Sequence, residues 1–189
     1  MATPLVIIVT GPPGTGKTTL GRRIAHEFRL PFIYKDGIKE LLFDHLGWSD
    51  REWSKRLGVA TYAILYHLLE AELKAGASLV VESNFHPTYD DEKFADLHTR
   101  YDFDTFQMLC VADGDVLYER FKERSASGER HPGHVDDLNH EEFEAILRRG
   151  RHDPLDIGGA TFEIDMTDLD AIDYDGLYAA IRAFTERRT

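Results

Sequence analysis

A glycine-rich motif near the N-terminus constrains this chain more than any other of its features. The motif is GPPGTGKT, at residues 11–18, and it directly follows the apolar run Leu5 to Val9. It matches the pattern G-x-x-x-x-G-K-[ST], in which glycines let several backbone N–H groups turn inward around a phosphate without clashes from Cβ atoms. An apolar strand leading into such a loop predicts a phosphate-binding site, with a nucleoside triphosphate as the expected ligand.

Each part of this loop has an expected contact with the nucleotide. Lys17 is predicted to bind the β- and γ-phosphates, and the hydroxyl of Thr18 is a predicted ligand of Mg²⁺. The helix predicted from Thr18 to Phe28 adds the positive end of its dipole. The residues expected to bind nucleotide are Gly11, Pro12, Pro13, Gly14, Thr15, Gly16, Lys17, Thr18 and Thr19.

The composition narrows the class of protein and of partner. The chain has 189 residues, of which 42% are hydrophobic, so residues 1–189 are predicted to form a single domain around one core. Its net charge of −12 repels polyanions, so nucleic acids and anionic membranes are not expected as main partners. No apolar run has the length of a membrane span, and the one cysteine, Cys110, is expected to be a buried thiol in a reduced, cytoplasmic protein.

Strand-like and helix-like segments alternate along the chain. Helical periodicity fills most of the intervals between five apolar runs, which predicts an α/β fold with a parallel sheet covered on both faces. The interval from Ile38 to Gly76 exceeds a simple crossover and predicts a short helix and a long one between the second and third strands. Its aromatic residues, which are expected to pack in the core or else to line an acceptor pocket, are Trp48, Trp53, Tyr62 and Tyr66. The five apolar runs are Leu5 to Val9, Pro31 to Tyr34, Ser78 to Glu82, Thr105 to Val111 and Thr161 to Ile164.

Polar residues follow the second and third strands, where the carboxyl ends of a parallel sheet line a site. Asp36 is predicted to act as general base toward an acceptor hydroxyl or to orient it, and the alternative is the N-cap of a helix beginning at Ile38. Glu82 is a candidate for holding a water on Mg²⁺ or for binding a substrate hydroxyl, and Asn84 is a candidate substrate contact. The alternative for Glu82 is a structural carboxylate bonded to nearby backbone.

A polar segment in the second half of the chain predicts a lid. Ser125 to His140 contains two glycines and a proline and has no apolar periodicity, which predicts a mobile loop between helices. With Arg120, Arg124 and Arg130, residues 120–140 are predicted to close over a transferring phosphoryl group, whose charge the arginines neutralise. The alternative for Arg120 and Arg124 is an exposed helix face paired with neighbouring glutamates.

These residues resemble a known family. The motif GPPGTGKTT, Asp36, the segment Glu82-Ser83-Asn84 and the arginine-rich stretch RFKERSASGERHPGH are similar to the small P-loop kinases of the nucleotide and nucleoside kinase superfamily. The nearest likeness is to the AAA-type kinase-like group that includes polynucleotide 5′-kinase domains, zeta toxins and chloramphenicol phosphotransferase. The resemblance implies a five-stranded parallel sheet in the order 2-3-1-4-5 between helices, MgATP at the loop, and an acceptor pocket under the helices of residues 38–76. It also implies an arginine lid and the base role of Asp36.

The resulting hypothesis is an ATP-dependent phosphotransferase acting on a hydroxyl of a small molecule, such as a nucleoside, a sugar or an antibiotic. A polynucleotide 5′-hydroxyl kinase is the first alternative, which is weakened by the net charge of −12 and by Glu82, since the strand ends in Asp in most such kinases. A regulatory ATPase or nucleotide switch is the second alternative. The residues leave open the identity of the acceptor, the choice between ATP and GTP, and the oligomeric state.

Overall fold

Five parallel strands form the centre of the molecule. The structure, a computed structural model, describes residues 3–128, 130–135 and 140–187. The strands are β1 (Leu5–Thr10), β2 (Phe32–Tyr34), β3 (Leu79–Glu82), β4 (Asp104–Val111) and β5 (Ala160–Asp165). They lie side by side in the order β2-β3-β1-β4-β5, and each pairing is parallel. The predicted sheet, with the first strand in the middle, is confirmed.

Helices cover both faces of this sheet. They are α1 (Lys17–Phe28), α2 (Lys35–Leu46), α3 (Arg51–Lys74), α4 (Pro87–Arg100), α5 (Gly114–Ser127), α6 (His140–Arg148) and α7 (Tyr174–Glu186), with a 3₁₀ turn at Pro132–His134. All six residues of β1 are buried, as expected for a strand with helices on both sides. Ile7 and Val9 pack with residues of α1 and α7, whereas Ile8 packs with residues of α3 and α4. Among the described residues, no helix combines the length and the apolar character needed to cross a bilayer.

The segment between β2 and β3 contains the predicted short and long helices. α2 begins at Lys35, so Asp36 lies inside its first turn, and the N-cap is Tyr34. The capping alternative for Asp36 is therefore wrong, although a negative charge in the first turn of a helix is still favourable. α3 begins after Asp50, whose carboxylate accepts a hydrogen bond of 2.8 Å from the backbone N–H of Trp53.

The predicted lid is described only in part. α5 continues to Ser127, two residues beyond the predicted start of the loop. The 3₁₀ turn packs on α2, where the ring of Phe43 stacks on that of His131 at 5.0 Å between centroids. Contact is so close that a Cβ on Gly133 would overlap the Phe43 ring. Residues 129 and 136–139 of the predicted lid, and residues 1, 2, 188 and 189 of the predicted domain, lie outside the described residues.

Candidate active site

The phosphate-binding motif forms a tight connection between β1 and α1. Gly16 has a φ of 84° and is the N-cap of α1, where it brings no side chain to the first N–H groups of the helix. Gly11 approaches β4 so closely that a Cβ would overlap the carbonyl oxygen of Cys110. The loop therefore presents N–H groups without a side-chain cap, together with the positive end of α1, which is the arrangement that binds a phosphate.

Glu82 contacts the two functional side chains of this loop. The residue pairs with Val9 across the sheet, which places the end of β3 beside the loop. The hydroxyl of Thr18 donates to Glu82 Oε2 at 2.8 Å, and Lys17 Nζ lies 3.9 Å from Oε1. Burial raises the pKa of the Glu82 carboxyl against the opposing charge of Lys17, and burial also lowers the pKa of Lys17. These contacts are with loop side chains, not with the nearby backbone that the structural alternative invoked.

Two basic side chains lie beside the carboxylate of Asp36. Its Oδ2 accepts a hydrogen bond of 3.1 Å from Arg130 Nη2, and its Oδ1 lies 3.5 Å from Lys35 Nζ. Desolvation raises the pKa of the Asp36 carboxyl, but the charges of Lys35 and Arg130 outweigh it, so this pKa lies well below its usual value. Asp36 is therefore ionised at neutral pH and is a weak base in this arrangement, which suits the orientation of a hydroxyl better than its early deprotonation.

The three arginines of the predicted lid lie in two different places. Arg124 and Arg130 line a cavity of about 300 Å³ together with Lys17, Thr18 and Asp36. We call it the phosphate cavity. These five residues were each singled out by the sequence, and the fold brings them together.

Arg120 differs from the prediction. Its guanidinium donates to the carbonyl oxygens of Met166 and Thr167, at 2.7 and 2.6 Å. It thereby fixes the loop after β5 and does not line the phosphate cavity. The spacing of Arg120 and Arg124 on α5 is that of one helical turn, and the structure gives the two residues different tasks because only Arg124 reaches the phosphate loop.

Sequence reasoning missed three basic residues of the phosphate cavity, namely Lys35, Lys39 and Arg51. Lys39 is only 6% exposed, and its Nζ donates to Ser54 Oγ at 2.9 Å. Burial, reinforced by the charge of Lys35, lowers the pKa of Lys39 to about 8. The sequence signal for Lys35 and Lys39 is the segment KDGIK, in which two lysines one helical turn apart lie on either side of Asp36.

A larger cavity, of about 970 Å³, lies beside the phosphate cavity and between α3 and α4. We call it the aromatic cavity, because Tyr62, Tyr66 and Phe143 line it. Pro13, Asn84 and Phe143 line both cavities. Asn84, predicted as a substrate contact, therefore lies where the two cavities adjoin.

Comparison with known proteins assigns this arrangement to a family. Residues 6–150 match the AAA domain family. The chain belongs to that family. A crystal structure from Chloroflexus aurantiacus j-10-fl, of a chain provisionally described as a kinase, is 43% identical, covers 100% of both chains and superposes with a TM-score of 0.89. A search of curated proteins found no match.

Two further solved structures share the fold of this AAA-domain protein. A sugar kinase from Janibacter sp. HTCC2649 is 16% identical over 93% of each chain, with a TM-score of 0.53. A gluconokinase from Sinorhizobium meliloti 1021 is 15% identical, covers 98% of this chain and 94% of its own, and has a TM-score of 0.52. At such identities the likeness concerns the fold alone. That fold is the P-loop kinase fold, which confirms the resemblance that the sequence indicated.

Proposed function

We propose that this protein transfers the γ-phosphoryl group of MgATP to a hydroxyl group of a small molecule. One observation carries the proposal: the carboxylate of Asp36 shares the phosphate cavity with Lys17 and Thr18, and that cavity meets a second one at Asn84. A phosphate-binding loop alone serves hydrolysis and switching as well. A carboxylate facing the loop beside a separate acceptor cavity is the arrangement that transfer to an alcohol requires.

The residues present fit MgATP. The N–H groups at the start of α1 and the ammonium of Lys17 would bind the β- and γ-phosphates. Thr18 and Glu82 together offer a hydroxyl and a carboxylate, the oxygen ligands that Mg²⁺ takes directly or through water. Mg²⁺ held there would neutralise part of the negative charge of the phosphates.

The transfer step follows from these positions. The acceptor oxygen forms a bond to the γ-phosphorus while the bond from that phosphorus to the bridging oxygen of ADP breaks, and the hydroxyl proton passes to the Asp36 carboxylate. Because the transition state of phosphoryl transfer is loose, the hydroxyl needs little deprotonation before attack, so a carboxylate with a lowered pKa suffices. Arg124 and Arg130 neutralise the charge on the transferring group.

The walls of the aromatic cavity favour a small molecule over a polynucleotide. Four carboxylates, from Glu70, Asp90, Glu92 and Asp96, line it. Lys93 and Arg100 line the same wall and offset part of this charge, so acidic groups remain in excess. Together with the net charge of −12, this excess repels the phosphates that a nucleic acid would bring. A regulatory ATPase is disfavoured for a different reason, since it has no need of a second cavity adjoining the phosphate loop.

Release of ADP in the presence of different acceptors tests the proposal. We expect a small alcohol to accelerate ADP release and to yield a phosphate ester, in wild type and in Lys74→Ala, which removes an exposed lysine of α3 that lines neither cavity. Lys17→Ala should yield far less ester than wild type. If no acceptor accelerates the release of ADP, the regulatory ATPase is favoured. A 5′-hydroxyl oligonucleotide that outperforms every sugar, nucleoside and ring-bearing alcohol would favour the polynucleotide kinase.

A further inference from the structure

The aromatic cavity has the size and the surface of a site for an apolar ligand. Its volume of about 970 Å³ is at the upper end of the range for pockets that enclose drug-sized molecules. Large apolar side chains surround its mouth and are exposed to solvent, with Val59 at 74%, Tyr89 at 70% and Ile146 at 44%. Exposed apolar groups that converge on one cavity indicate a ligand that covers them.

Several charged groups of the cavity wall already have partners within the protein. Asp90 accepts hydrogen bonds of 2.8 Å from the Tyr66 hydroxyl and from the backbone N–H of His86, and Lys93 Nζ lies 3.5 Å from the same carboxylate. Glu70 is paired with Arg100. A polyol or a sugar acid entering the cavity would therefore have to displace these contacts to bind charged groups, whereas an apolar ring need not.

His152 presents an unsatisfied ring nitrogen on this wall. Its Nδ1 is buried and has no hydrogen-bond partner within the described residues. A backbone interaction at Phe85 raises the pKa of His152, but burial outweighs it and lowers the pKa to about 4. The imidazole is therefore neutral at pH 7, and Nδ1 without a proton is an acceptor that a ligand O–H or N–H would satisfy.

We propose that the acceptor is an alcohol carried on an apolar ring system, whose rings lie in the aromatic cavity and which donates one hydrogen bond to His152 Nδ1. This inference rests on the proposed function and specifies its substrate class. The reacting hydroxyl would extend past Asn84 toward Asp36, since Asn84 lines both cavities. A compact sugar would leave most of the cavity unfilled.

Two naphthalene alcohols and a sugar acid test the substrate class by binding, measured by calorimetry and by thermal melting. We expect 2-naphthalenemethanol to bind wild type more tightly than gluconate does. Ala63→Trp places an indole in the cavity from an exposed position of α3 and should weaken binding at least roughly tenfold. Ala71→Trp makes the same change at an exposed position of α3 that does not line the cavity, so binding should match wild type. Ala63→Leu fills less volume and serves if the tryptophan variant does not fold.

The hydrogen bond is tested with 2,6-naphthalenedimethanol, which carries a second hydroxyl. Wild type should bind this diol roughly 3- to 10-fold more tightly than the mono-alcohol, the range for one added hydrogen bond. In His152→Phe, and in His152→Leu as a second variant, the two alcohols should bind equally. Gluconate binding more tightly than both naphthalene alcohols, unchanged binding in Ala63→Trp, or a diol preference that persists in both His152 variants would each overturn the inference.

Ester formation with MgATP separates this inference from the proposed function. Phosphorylation of sugars but of no ring-bearing alcohol would overturn the inference and leave the proposed function standing. Cavity-dependent binding of the naphthalene alcohols, combined with no ester from any alcohol tested, would support the ring-binding role of the cavity and contradict the proposed function.

Discussion

The phosphate cavity and the aromatic cavity adjoin each other but are built in different ways. The phosphate cavity is bounded by the main chain of one contiguous motif and by basic side chains, and its volume is about 300 Å³. The aromatic cavity, of about 970 Å³, is walled by side chains of α3, α4 and α6, which are distant in the sequence. The phosphate-binding loop is thus encoded in one contiguous motif, whereas the shape of the aromatic cavity depends on how three helices pack.

The largest effect is expected in the phosphate cavity, at Asp36. Asp36→Asn keeps the size of the side chain but removes its negative charge and its capacity to accept a proton. We expect acceptor turnover to fall by roughly 10² to 10⁴, the range for a positioned acid or base, while MgATP affinity changes little. Both quantities should be measured on one preparation.

The control for Asp36 is Asp44→Asn, which makes the same change at an exposed position of α2 that lines neither cavity. Its turnover should match wild type. Near-wild-type turnover in Asp36→Asn would remove Asp36 from the reaction, and an equal loss in both variants would indicate a general effect on α2.

Removal of the motif lysine should affect the phosphate cavity alone. Lys17→Ala is expected to lower turnover by roughly 10² to 10³, since it removes one preorganised charge, and to abolish the thermal stabilisation by MgATP. Binding of a ring-bearing alcohol in the aromatic cavity should persist. Because Lys17 is only 9% exposed and lies near Glu82, melting of the free variant should also be compared with wild type. Equal stabilisation of both proteins by MgATP would contradict the nucleotide assignment.

The two arginines of α5 sharpen the comparison further. Arg124→Gln removes a charge from the phosphate cavity and should lower turnover by roughly 10²-fold with little change in stability. Arg120→Gln loses two hydrogen bonds to backbone carbonyls and should lower the free energy of unfolding by about 1–3 kcal/mol, with a much smaller loss of turnover. Turnover and urea unfolding of both variants check this division. The reverse pattern would restore the predicted role of Arg120.

The smallest effect concerns the pH dependence of stability. The pKa of His152 is about 4 in the folded protein, because burial and the charges of Lys17 and His86 lower it, and 6.5 is its ordinary value. The unfolded chain therefore binds more protons between these values, and the free energy of unfolding should fall as the pH drops from about 6.5 toward 4. His152→Phe should lose about 2 kcal/mol less than wild type between pH 7 and pH 5, as measured by urea unfolding. Equal losses in both proteins would show that His152 is not held neutral by the fold.

The fold and the phosphate cavity were accessible from the sequence for physical reasons. The glycine-rich loop binds phosphate through its main chain, so the glycines in the motif predict its backbone conformation. β1 is a continuous apolar run because both of its faces are buried. Apolar runs also located the ends of β2 and β3. Because parallel strands end at the same edge of the sheet, Asp36 and Glu82 were expected near the loop. The helix start was missed by a few residues, because Asp36 resembles a cap and α2 already begins at Lys35.

The aromatic cavity was not accessible in this way. Tyr62 and Tyr66 have the helical spacing of core residues, so the sequence left open whether they pack in the core or line an acceptor pocket. Only the packing of α3 against α4 and α6 shows that these rings face a cavity. His152 follows α6 in a segment without a motif, and the burial of its Nδ1 without a partner is a property of the fold, so no sequence pattern predicts it.

The fate of the γ-phosphate tests the central claim most directly, namely that the two cavities form one phosphotransferase site. Wild type should be incubated with γ-labelled ATP, Mg²⁺ and an alcohol that binds the aromatic cavity, and the label should be traced by mass spectrometry. We predict that the label appears in a phosphate ester of that alcohol in a one-to-one ratio with ADP, and that Asp36→Asn nearly abolishes the ester. Label recovered only as inorganic phosphate, at a rate that the alcohol does not change, would contradict the claim.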